Sequence, residues 1–198
     1  MLENKARITL VIGGCRSGKS RFALDAADQI IGNQVKADPA GGGRKIFLAT
    51  SVPMDPEMDK RVAAHQAERG EDWQTIEEPV MIHEIIERAS KTADVILVDC
   101  LTLWISNLLF AEYDEPRIME ATTLLAAALE KSCCPVFLVS NEVGYGIVPD
   151  NSLARQFRDT AGLVNQEIAA MADQVILTVA GIDVPIKPWK SLTRNLCK

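Results

Sequence analysis

The sequence predicts an α/β fold, in which helices cover both faces of a doubly wound, mostly parallel β-sheet. Short apolar runs rich in β-branched residues alternate with segments of helical periodicity, as in parallel sheets whose strands are joined by helices. A glycine-rich joint follows the first apolar run. The chain has 198 residues, 47% of them hydrophobic, which is enough for one domain with a sizeable core.

The predicted strands are short apolar runs bounded by polar or turn-forming residues. They are Ile8–Ile12, Ile46–Ala49, Val95–Val98, Val136–Val139 and Val175–Val179. The last run continues into AGIDVPIK, where Gly181 and Asp183 favour a turn and Pro185 is tolerated only at a sheet edge. We therefore expect an antiparallel edge strand at the C-terminal end of the sheet.

The segments between these strands repeat apolar residues with the period of an α-helix. The predicted helices are Ser20–Ile31, Pro56–Arg69, Val80–Ser90, Leu101–Phe110, Arg117–Lys131 and Ser152–Ala172. The stretch Gly32–Lys45 has turn composition without periodicity, which predicts a surface loop. Residues 188–198 carry no clear pattern and stay unassigned.

Charge and hydropathy limit the classes of function. A net charge of −6 and a pI near 5.0 argue against broad binding to nucleic acid or anionic membranes, so an anion site must be built locally. No apolar stretch reaches the roughly 18 residues of a membrane span, and the first residues lack the features of a signal peptide. We expect a cytoplasmic protein with reduced thiols, in which Cys100 and one of Cys133 and Cys134 are small core residues.

The glycine-rich joint GGCRSGKS has the spacing of a phosphate-binding loop between a strand and a helix. Its glycines allow the backbone N–H groups to surround an anion, and the helix adds its positive N-terminal end. Lys19 would reach the β- and γ-phosphates, and the Ser20 hydroxyl would bind Mg²⁺. A chance glycine-rich turn is the alternative, but the flanking strand and helix favour nucleotide binding. The residues assigned to this phosphate loop are Gly13, Gly14, Cys15, Arg16, Ser17, Gly18, Lys19 and Ser20.

In a doubly wound sheet, ligands bind beyond the carboxyl ends of the strands. Thr50 and Ser51 follow the second predicted strand, Asp99 the third, and Asn141 and Glu142 the fourth, so these residues should line one edge of the sheet. Asp99 closes the run VILVD, as does the acid that helps to hold Mg²⁺ in phosphate-loop enzymes. An aspartate at a strand end is equally typical of a turn, but the phosphate loop favours the metal-binding interpretation.

Three further stretches carry a resemblance to a known family. They are FLATSVPMDPEMDKRVAAHQAERGEDWQTIEEP, VDCLTLWISNLL, and the segment that begins VSNEVGYGIVPD and ends VPIK. Together with the phosphate loop, they closely resemble the bifunctional adenosylcobinamide kinase/adenosylcobinamide-phosphate guanylyltransferases of cobalamin biosynthesis. The resemblance runs from about Ile8 to Lys187, and it implies a RecA-like phosphate-loop fold, a homotrimer, and the use of ATP or GTP.

The resemblance implies a two-step reaction. A nucleoside triphosphate first phosphorylates the hydroxyl of the aminopropanol arm of adenosylcobinamide. GTP then guanylylates a histidine of the enzyme, and the GMP passes to the new phosphate to give adenosylcobinamide-GDP. The family motif R-V-x-x-H-x-x-x-R places that histidine at His65, whose neutral imidazole is a suitable nucleophile. Without the motif, an ordinary helix histidine would be the default interpretation.

The same resemblance implies further nucleotide contacts. Arg69, four residues after His65, is assigned to a phosphate, although a cation near a helix C-terminus also favours the helix dipole. Glu77 matches a family acid, and its carboxylate can accept the N1 and N2 hydrogens of guanine; Glu78 is the competing solvated residue. The other residues assigned to this contact region are Thr50, Ser51, Val52, Gln66, Ala67 and Glu68.

The chain departs from the family pattern without losing a reacting group. The family often has alanine at Cys15 and proline at Gly70, and residues 32–45 and 188–198 look like additions. Two other functions stay open at this point. One is a phosphate-loop kinase of a small metabolite, which needs no His65, and the other is a nucleotide-dependent binding switch.

Overall fold

The structure is a computed structural model that describes residues 8–37, 43–52 and 72–187. Strands and helices alternate along most of the described chain, as the sequence predicts. In order they are β1 (Ile8–Gly13), α1 (Lys19–Ala37), β2 (Lys45–Ala49), β3 (Trp73–Glu77), α2 (Ile82–Ala89), β4 (Val95–Asp99), α3 (Leu101–Phe110), α4 (Glu115–Glu130), β5 (Val136–Asn141), α5 (Ser152–Met171), β6 (Gln174–Val179) and β7 (Ile182–Lys187).

The strands form one sheet in the order β3-β2-β4-β5-β1-β6-β7. Neighbouring strands are parallel except for β6 and β7, which form an antiparallel hairpin at one edge. Pro185 lies in the edge strand β7, the position in a sheet at which a residue without an N–H is tolerated. The predicted doubly wound sheet with an antiparallel C-terminal edge strand is confirmed.

Helices cover the sheet on both faces. Alternate residues of the central strands point to opposite sides, so each strand contributes side chains to both layers of helices. In β2, Ile46 and Leu48 belong to the core cluster that includes residues of α2 to α5. Phe47 and Ala49 belong to the cluster beneath α1, which packs on β1, β4 and β5. The central strands therefore bury both faces, and this explains why they are almost continuously apolar. None of the described helices combines the length and apolarity needed to cross a lipid bilayer.

Helix α1 is longer than the sequence pattern predicts. It continues to Ala37, so the first part of the predicted loop Gly32–Lys45 is helical, and Lys45 is the first residue of β2. Gly32 disfavours a helix by about 1 kcal/mol relative to alanine. Ile31, the last residue of the predicted helix, is buried in the core cluster beneath α1, whereas residues 32–34 beyond it are exposed. The predicted helix Pro56–Arg69 and the tail 188–198 lie outside the described residues.

Strand β3 is absent from the sequence-based prediction. Its sequence WQTIE buries only Trp73 fully, because β3 is an edge strand. The Trp73 ring meets the Phe47 ring edge to face, with centroids 6.4 Å apart. Its apolar residues Trp73 and Ile76 are three positions apart, which does not fit the alternation of a strand, so β3 depends on pairing with β2.

Two cysteines are core residues, as predicted. Cys100 and Cys134 are buried, and burial raises the pKa of each thiol to about 11. Cys15 and Cys133 are exposed. The two buried thiols are therefore protonated at neutral pH and act as small packing groups.

A charged cluster stabilises the amino end of β2. The Lys45 ammonium donates a hydrogen bond to Asp28 Oδ1 at 2.8 Å, forms an ion pair with Asp72, and lies 5.3 Å from the centroid of the Trp73 ring. Burial alone would lower the pKa of Lys45, but the two carboxylates outweigh it and raise the pKa. These contacts hold α1 and the residue before β3 against the start of β2.

Candidate functional site

The candidate site lies along the carboxyl edge of the sheet, meaning the side where the parallel strands end. Strand register brings these ends level: Gly13 pairs with Asn141, and Ala49 pairs with both Asp99 and Glu77. Residues that are far apart in sequence therefore lie side by side. The prediction that they line one edge of the sheet is confirmed.

The phosphate loop has the backbone conformation that its glycines permit. Gly13 and Gly18 have φ values of +156° and +106°, which other residues rarely adopt. A Cβ at Gly13 would lie 2.7 Å from both Ser17 Oγ and Thr178 Oγ1. Arg16 also has a positive φ, of +54°, which is uncommon for a residue with a side chain. The loop is therefore tightly specified at Gly13 and strained at Arg16.

The phosphate loop rests on the β6–β7 hairpin. Ser17 Oγ hydrogen-bonds Thr178 Oγ1 at 2.8 Å, and the Gly181 N–H donates to the Ser17 carbonyl at 2.9 Å. Thr178 also donates to the Ile12 carbonyl at 3.3 Å. Sequence reasoning missed Thr178 and Gly181 as supports of this loop. The one available signal was a threonine that interrupts the apolar run VILTV.

Lys19 lies inside the phosphate loop. The residue is 7% exposed, and its Nζ donates to the Gly14 carbonyl at 2.5 Å and to Ser17 Oγ at 3.5 Å. Burial lowers the pKa of Lys19 below its ordinary value, while the nearby acidic groups of Cys100, Asp99 and Cys15 oppose that shift. Both hydrogen-bond acceptors are uncharged, so the ammonium can exchange them for phosphate oxygens.

Thr50 joins the ends of β2 and β4. Its hydroxyl donates to the Cys100 carbonyl and accepts from the Cys100 N–H, both at 2.8 Å, and the residue is fully buried. The Asn107 side chain donates to the Thr50 carbonyl at 2.7 Å. These bonds fix the backbone directly after Asp99. Thr50 is thus placed to position its neighbours, whereas Ser51 and Val52 are more accessible.

The two adjacent glutamates after β3 have different surroundings. Glu78 Oε1 accepts from the N–H groups of Val80 and Met81 at 3.0 and 2.9 Å, immediately before α2. Glu78 is therefore a half-buried structural residue, and the prediction that it is merely solvated is wrong. Glu77 is exposed and ends β3 at the carboxyl edge, where its carboxylate is accessible to a ligand.

Ser20 and Asp99 offer the oxygen donors that Mg²⁺ prefers. Both are half-buried, Ser20 in the first turn of α1 and Asp99 at the end of β4. Within the described ranges, no group of three or more His, Cys, Asp or Glu could hold a metal ion by itself. A hydroxyl and one carboxylate therefore fit an ion whose other ligands are phosphates and water.

Part of the predicted site lies outside the described residues. This part consists of His65, Gln66, Ala67, Glu68 and Arg69. Their assignments stay predictions. Strand β2 ends at Ala49 and β3 begins at Trp73, so the segment that contains these residues joins two strands. The described residues Thr50, Ser51 and Val52 follow β2 at the carboxyl edge.

Comparison with known proteins identifies the family. The family described as cobinamide kinase / cobinamide phosphate guanyltransferase matches residues 9–186. The bifunctional adenosylcobalamin biosynthesis protein CobU of Escherichia coli (strain K12) is 40% identical over 190 residues, which cover 90% of this chain and 98% of that protein. The bifunctional adenosylcobalamin biosynthesis protein CobP of Pseudomonas aeruginosa is 37% identical over 178 residues, with 90% and 96% covered.

A solved structure is similar in shape at low sequence identity. It is a KaiC-like protein from Pyrococcus horikoshii OT3, which is 17% identical, with 86% of this chain and 70% of that chain covered and a TM-score of 0.47. The family match and the two relatives confirm the resemblance that the motifs carry. This chain belongs to the cobinamide kinase / cobinamide phosphate guanyltransferase family.

Proposed function

We propose that this member of the family acts in two steps. It transfers a phosphoryl group from ATP or GTP to the aminopropanol hydroxyl of adenosylcobinamide. It then transfers GMP from GTP, through a guanylyl-histidine at His65, to give adenosylcobinamide-GDP. The observation that carries the proposal is the buried Lys19 inside the phosphate loop, in a chain that matches the family over residues 9–186.

The phosphoryl transfer depends on positioning and electrostatics. The N–H groups of the phosphate loop surround the phosphates, and the Lys19 ammonium exchanges the Gly14 carbonyl and Ser17 hydroxyl for phosphate oxygens. Because Lys19 is buried, its charge acts through a weakly screening environment. Ser20 and Asp99 would hold Mg²⁺, which offsets the phosphate charge when bound. The acceptor hydroxyl attacks the γ-phosphorus and loses its proton to water, while the bond from the γ-phosphorus to the bridging oxygen breaks and the nucleoside diphosphate leaves with that oxygen.

The guanylyl transfer adds a covalent step. A neutral ring nitrogen of His65 attacks the α-phosphorus of GTP, and pyrophosphate leaves with its charge stabilised by the phosphate loop and Lys19. An oxygen of adenosylcobinamide phosphate then attacks the same phosphorus, and the phosphorus–nitrogen bond breaks to restore His65. Arg69 would contact a phosphate, and Glu77 would accept hydrogen bonds from guanine N1 and N2. The exposed position of Glu77 at the carboxyl edge supports this role.

We further propose that the enzyme works as a homotrimer in the cytoplasm, with residues near the corrinoid contributed at a subunit boundary. The contacts assigned to Thr50, Ser51, Val52, Gln66, Ala67 and Glu68 belong to the same guanosine-binding region. Light scattering should give about three times the chain mass of 21.7 kDa. A monomer at the working concentration would contradict the trimer.

The guanylyl-histidine is tested with α-labelled GTP and Mg²⁺ on three proteins: wild type, His65→Asn and the control His83→Asn. The chain has two histidines, so His83 is a matched control. Wild type and His83→Asn should retain label that is labile in acid and stable in base. His65→Asn should retain none, while its phosphoryl transfer remains substantial, because that step needs no nucleophilic imidazole.

Two results contradict the assignment. One is label retained by His65→Asn, or label mapped to His83 or Lys19, because another residue would then carry GMP. The other is a folded His65→Asn protein without kinase activity, because His65 would then serve both steps. Circular dichroism and thermal unfolding establish that the variant is folded.

A further inference from the structure

A pocket of about 430 Å³ lies between α1 and the β6–β7 hairpin, beside the phosphate loop. Gly18 belongs to both the loop and the pocket wall. The hairpin turn touches the loop directly, since the Gly181 N–H donates to the Ser17 carbonyl at 2.9 Å. We propose that this pocket receives the purine nucleoside of the triphosphate donor in the phosphoryl-transfer step. The inference rests on the proposed two-step function and adds a binding site to it.

The pocket follows from the path of α1 across the sheet. The helix starts after β1 and packs over β1, β5 and β4, so among the described helices α1 does not extend over the same face of β6 and β7. Asp183 of β7 pairs with Thr178 of β6, whose side chain points to the phosphate loop. Because paired residues share a face, Asp183 faces the α1 side. Arg21, Phe22 and Asp25 face it from α1, at the spacing of one helical stripe.

The side chains in the pocket suit a neutral group that donates hydrogen bonds. Arg21 Nε lies 3.7 Å from Asp25 Oδ2 and offsets that charge, so Asp183 is the lining carboxylate that has no ion pair among the described residues. Its oxygens repel phosphate but accept N–H donors, and adenine and guanine each present an exocyclic amino group. The half-buried Phe22 supplies an aromatic surface on which a base can stack. The volume also lies in the range of small-molecule sites. A purine nucleoside, attached to phosphates on the adjacent loop, has this chemistry.

The pocket and Glu77 lie in opposite directions from the phosphate loop. In the order β3-β2-β4-β5-β1-β6-β7, Glu77 of β3 is four strand spacings from β1, or about 19 Å, whereas the pocket lies on the β6 side. A base therefore cannot occupy both places while its phosphates stay on the loop. The donor nucleoside occupies the pocket in phosphoryl transfer, and guanosine points toward Glu77 in guanylyl transfer.

This site is tested by filling the pocket from α1. Ala26 lines the pocket and is half-buried, so Ala26→Phe should occlude it; Ala170→Phe, on the exposed side of α5, is the matched control. The probes are a non-hydrolysable ATP analogue and inorganic tripolyphosphate. Ala26→Phe should lower the affinity for the ATP analogue by about tenfold or more and change the affinity for tripolyphosphate by no more than about twofold, because only the analogue carries a nucleoside. The control should change neither affinity.

Asp183→Asn keeps the size of the side chain and removes the charged acceptor. This substitution should lower the affinity for the ATP analogue by about threefold to tenfold without changing tripolyphosphate binding. Unchanged analogue binding in both variants would overturn the proposal. An equal loss of affinity for the ATP analogue and for tripolyphosphate would also overturn it. So would weaker binding of cobinamide combined with normal binding of the ATP analogue.

The label retained from α-labelled GTP tests separately whether the two nucleotides point in opposite directions. Ala26→Phe should retain label from α-labelled GTP at the wild-type level, because guanosine points away from the pocket in that step. Loss of label in this variant would contradict the two orientations. If wild type itself retains no label, the proposed covalent step fails, while the two-probe binding experiment still decides whether the pocket holds a nucleoside.

Discussion

Lys19 and Lys45 are equally buried lysines at opposite ends of the sheet, each 7% exposed. Lys45 lies at the amino end of β2, bonded to Asp28 and paired with Asp72. Lys19 follows the carboxyl end of β1 and, within the part of the chain that the structure describes, donates to the uncharged oxygens of Gly14 and Ser17. Burial lowers the pKa of Lys19, whereas two carboxylates outweigh burial and raise the pKa of Lys45.

The difference shows how one fold uses the same side chain in two ways. A buried ammonium needs a compensating partner. At Lys45 the protein supplies carboxylates, which stabilise the fold and leave no capacity for another anion. At Lys19 it supplies two neutral oxygens, and a phosphate would complete the compensation. The contrast separates a structural cation from one that is kept for a ligand.

Lys19→Ala should give the largest change. Both reactions should slow by roughly a hundredfold or more, or on the order of 3 kcal/mol, because the cation serves both transition states. Steady-state kinetics of phosphoryl transfer and the rate of guanylyl-adduct formation measure the effect. Thermal unfolding should change little, since Lys19 makes no charged contact within the phosphate loop. A folded Lys19→Ala protein with near-normal kinase turnover would remove Lys19 from the mechanism.

Lys45→Met should show the opposite behaviour, with less stability and normal binding. We expect a loss of about 1 kcal/mol in the free energy of unfolding, a small value because Asp28 and Asp72 stay 46% and 67% exposed and are screened by water. Urea unfolding measures the loss. The affinity for a non-hydrolysable ATP analogue should remain within about twofold. Weakened nucleotide binding with unchanged stability would reverse the roles assigned to the two lysines.

Raising the pH should have the smallest of these effects, on nucleotide affinity through Lys19 and on stability through Lys45. Lys19 binds phosphate only when protonated, and its lowered pKa means that nucleotide affinity falls at a lower pH than an ordinary lysine would give. The pKa of Lys45 is raised above its unfolded value, so its stabilising contribution is complete below the unfolded pKa and is lost only as pH rises through the folded pKa.

Nucleotide affinity should therefore fall before stability does as the pH is raised. Titration of the ATP analogue and urea unfolding at the same alkaline pH values measure the two quantities. Lys19→Arg serves as the control, because arginine stays protonated and should remove the early loss of affinity. Parallel loss of affinity and stability in the wild type would contradict the comparison.

The sequence predicted the surroundings of Lys19, because they depend on local sequence pattern. The phosphate loop, Asp99 and the apolar strands are contiguous motifs, so their places at the carboxyl edge could be predicted. The partners of Lys45 could not, because Asp28 and Asp72 reach it through the packing of α1 and the pairing of β3. The supports of the loop at Thr178 and Gly181 are likewise tertiary contacts from the far end of the chain.

The central claim is that one phosphate loop, with one cation, serves both reactions. Inorganic tripolyphosphate tests it most directly, because it has the phosphates of the nucleotide without the nucleoside. It should compete with the nucleotide in phosphoryl transfer and in guanylyl-adduct formation, with inhibition constants that agree within about twofold. Inhibition of one reaction alone, or constants that differ by about tenfold or more, would mean that the two steps use separate phosphate sites.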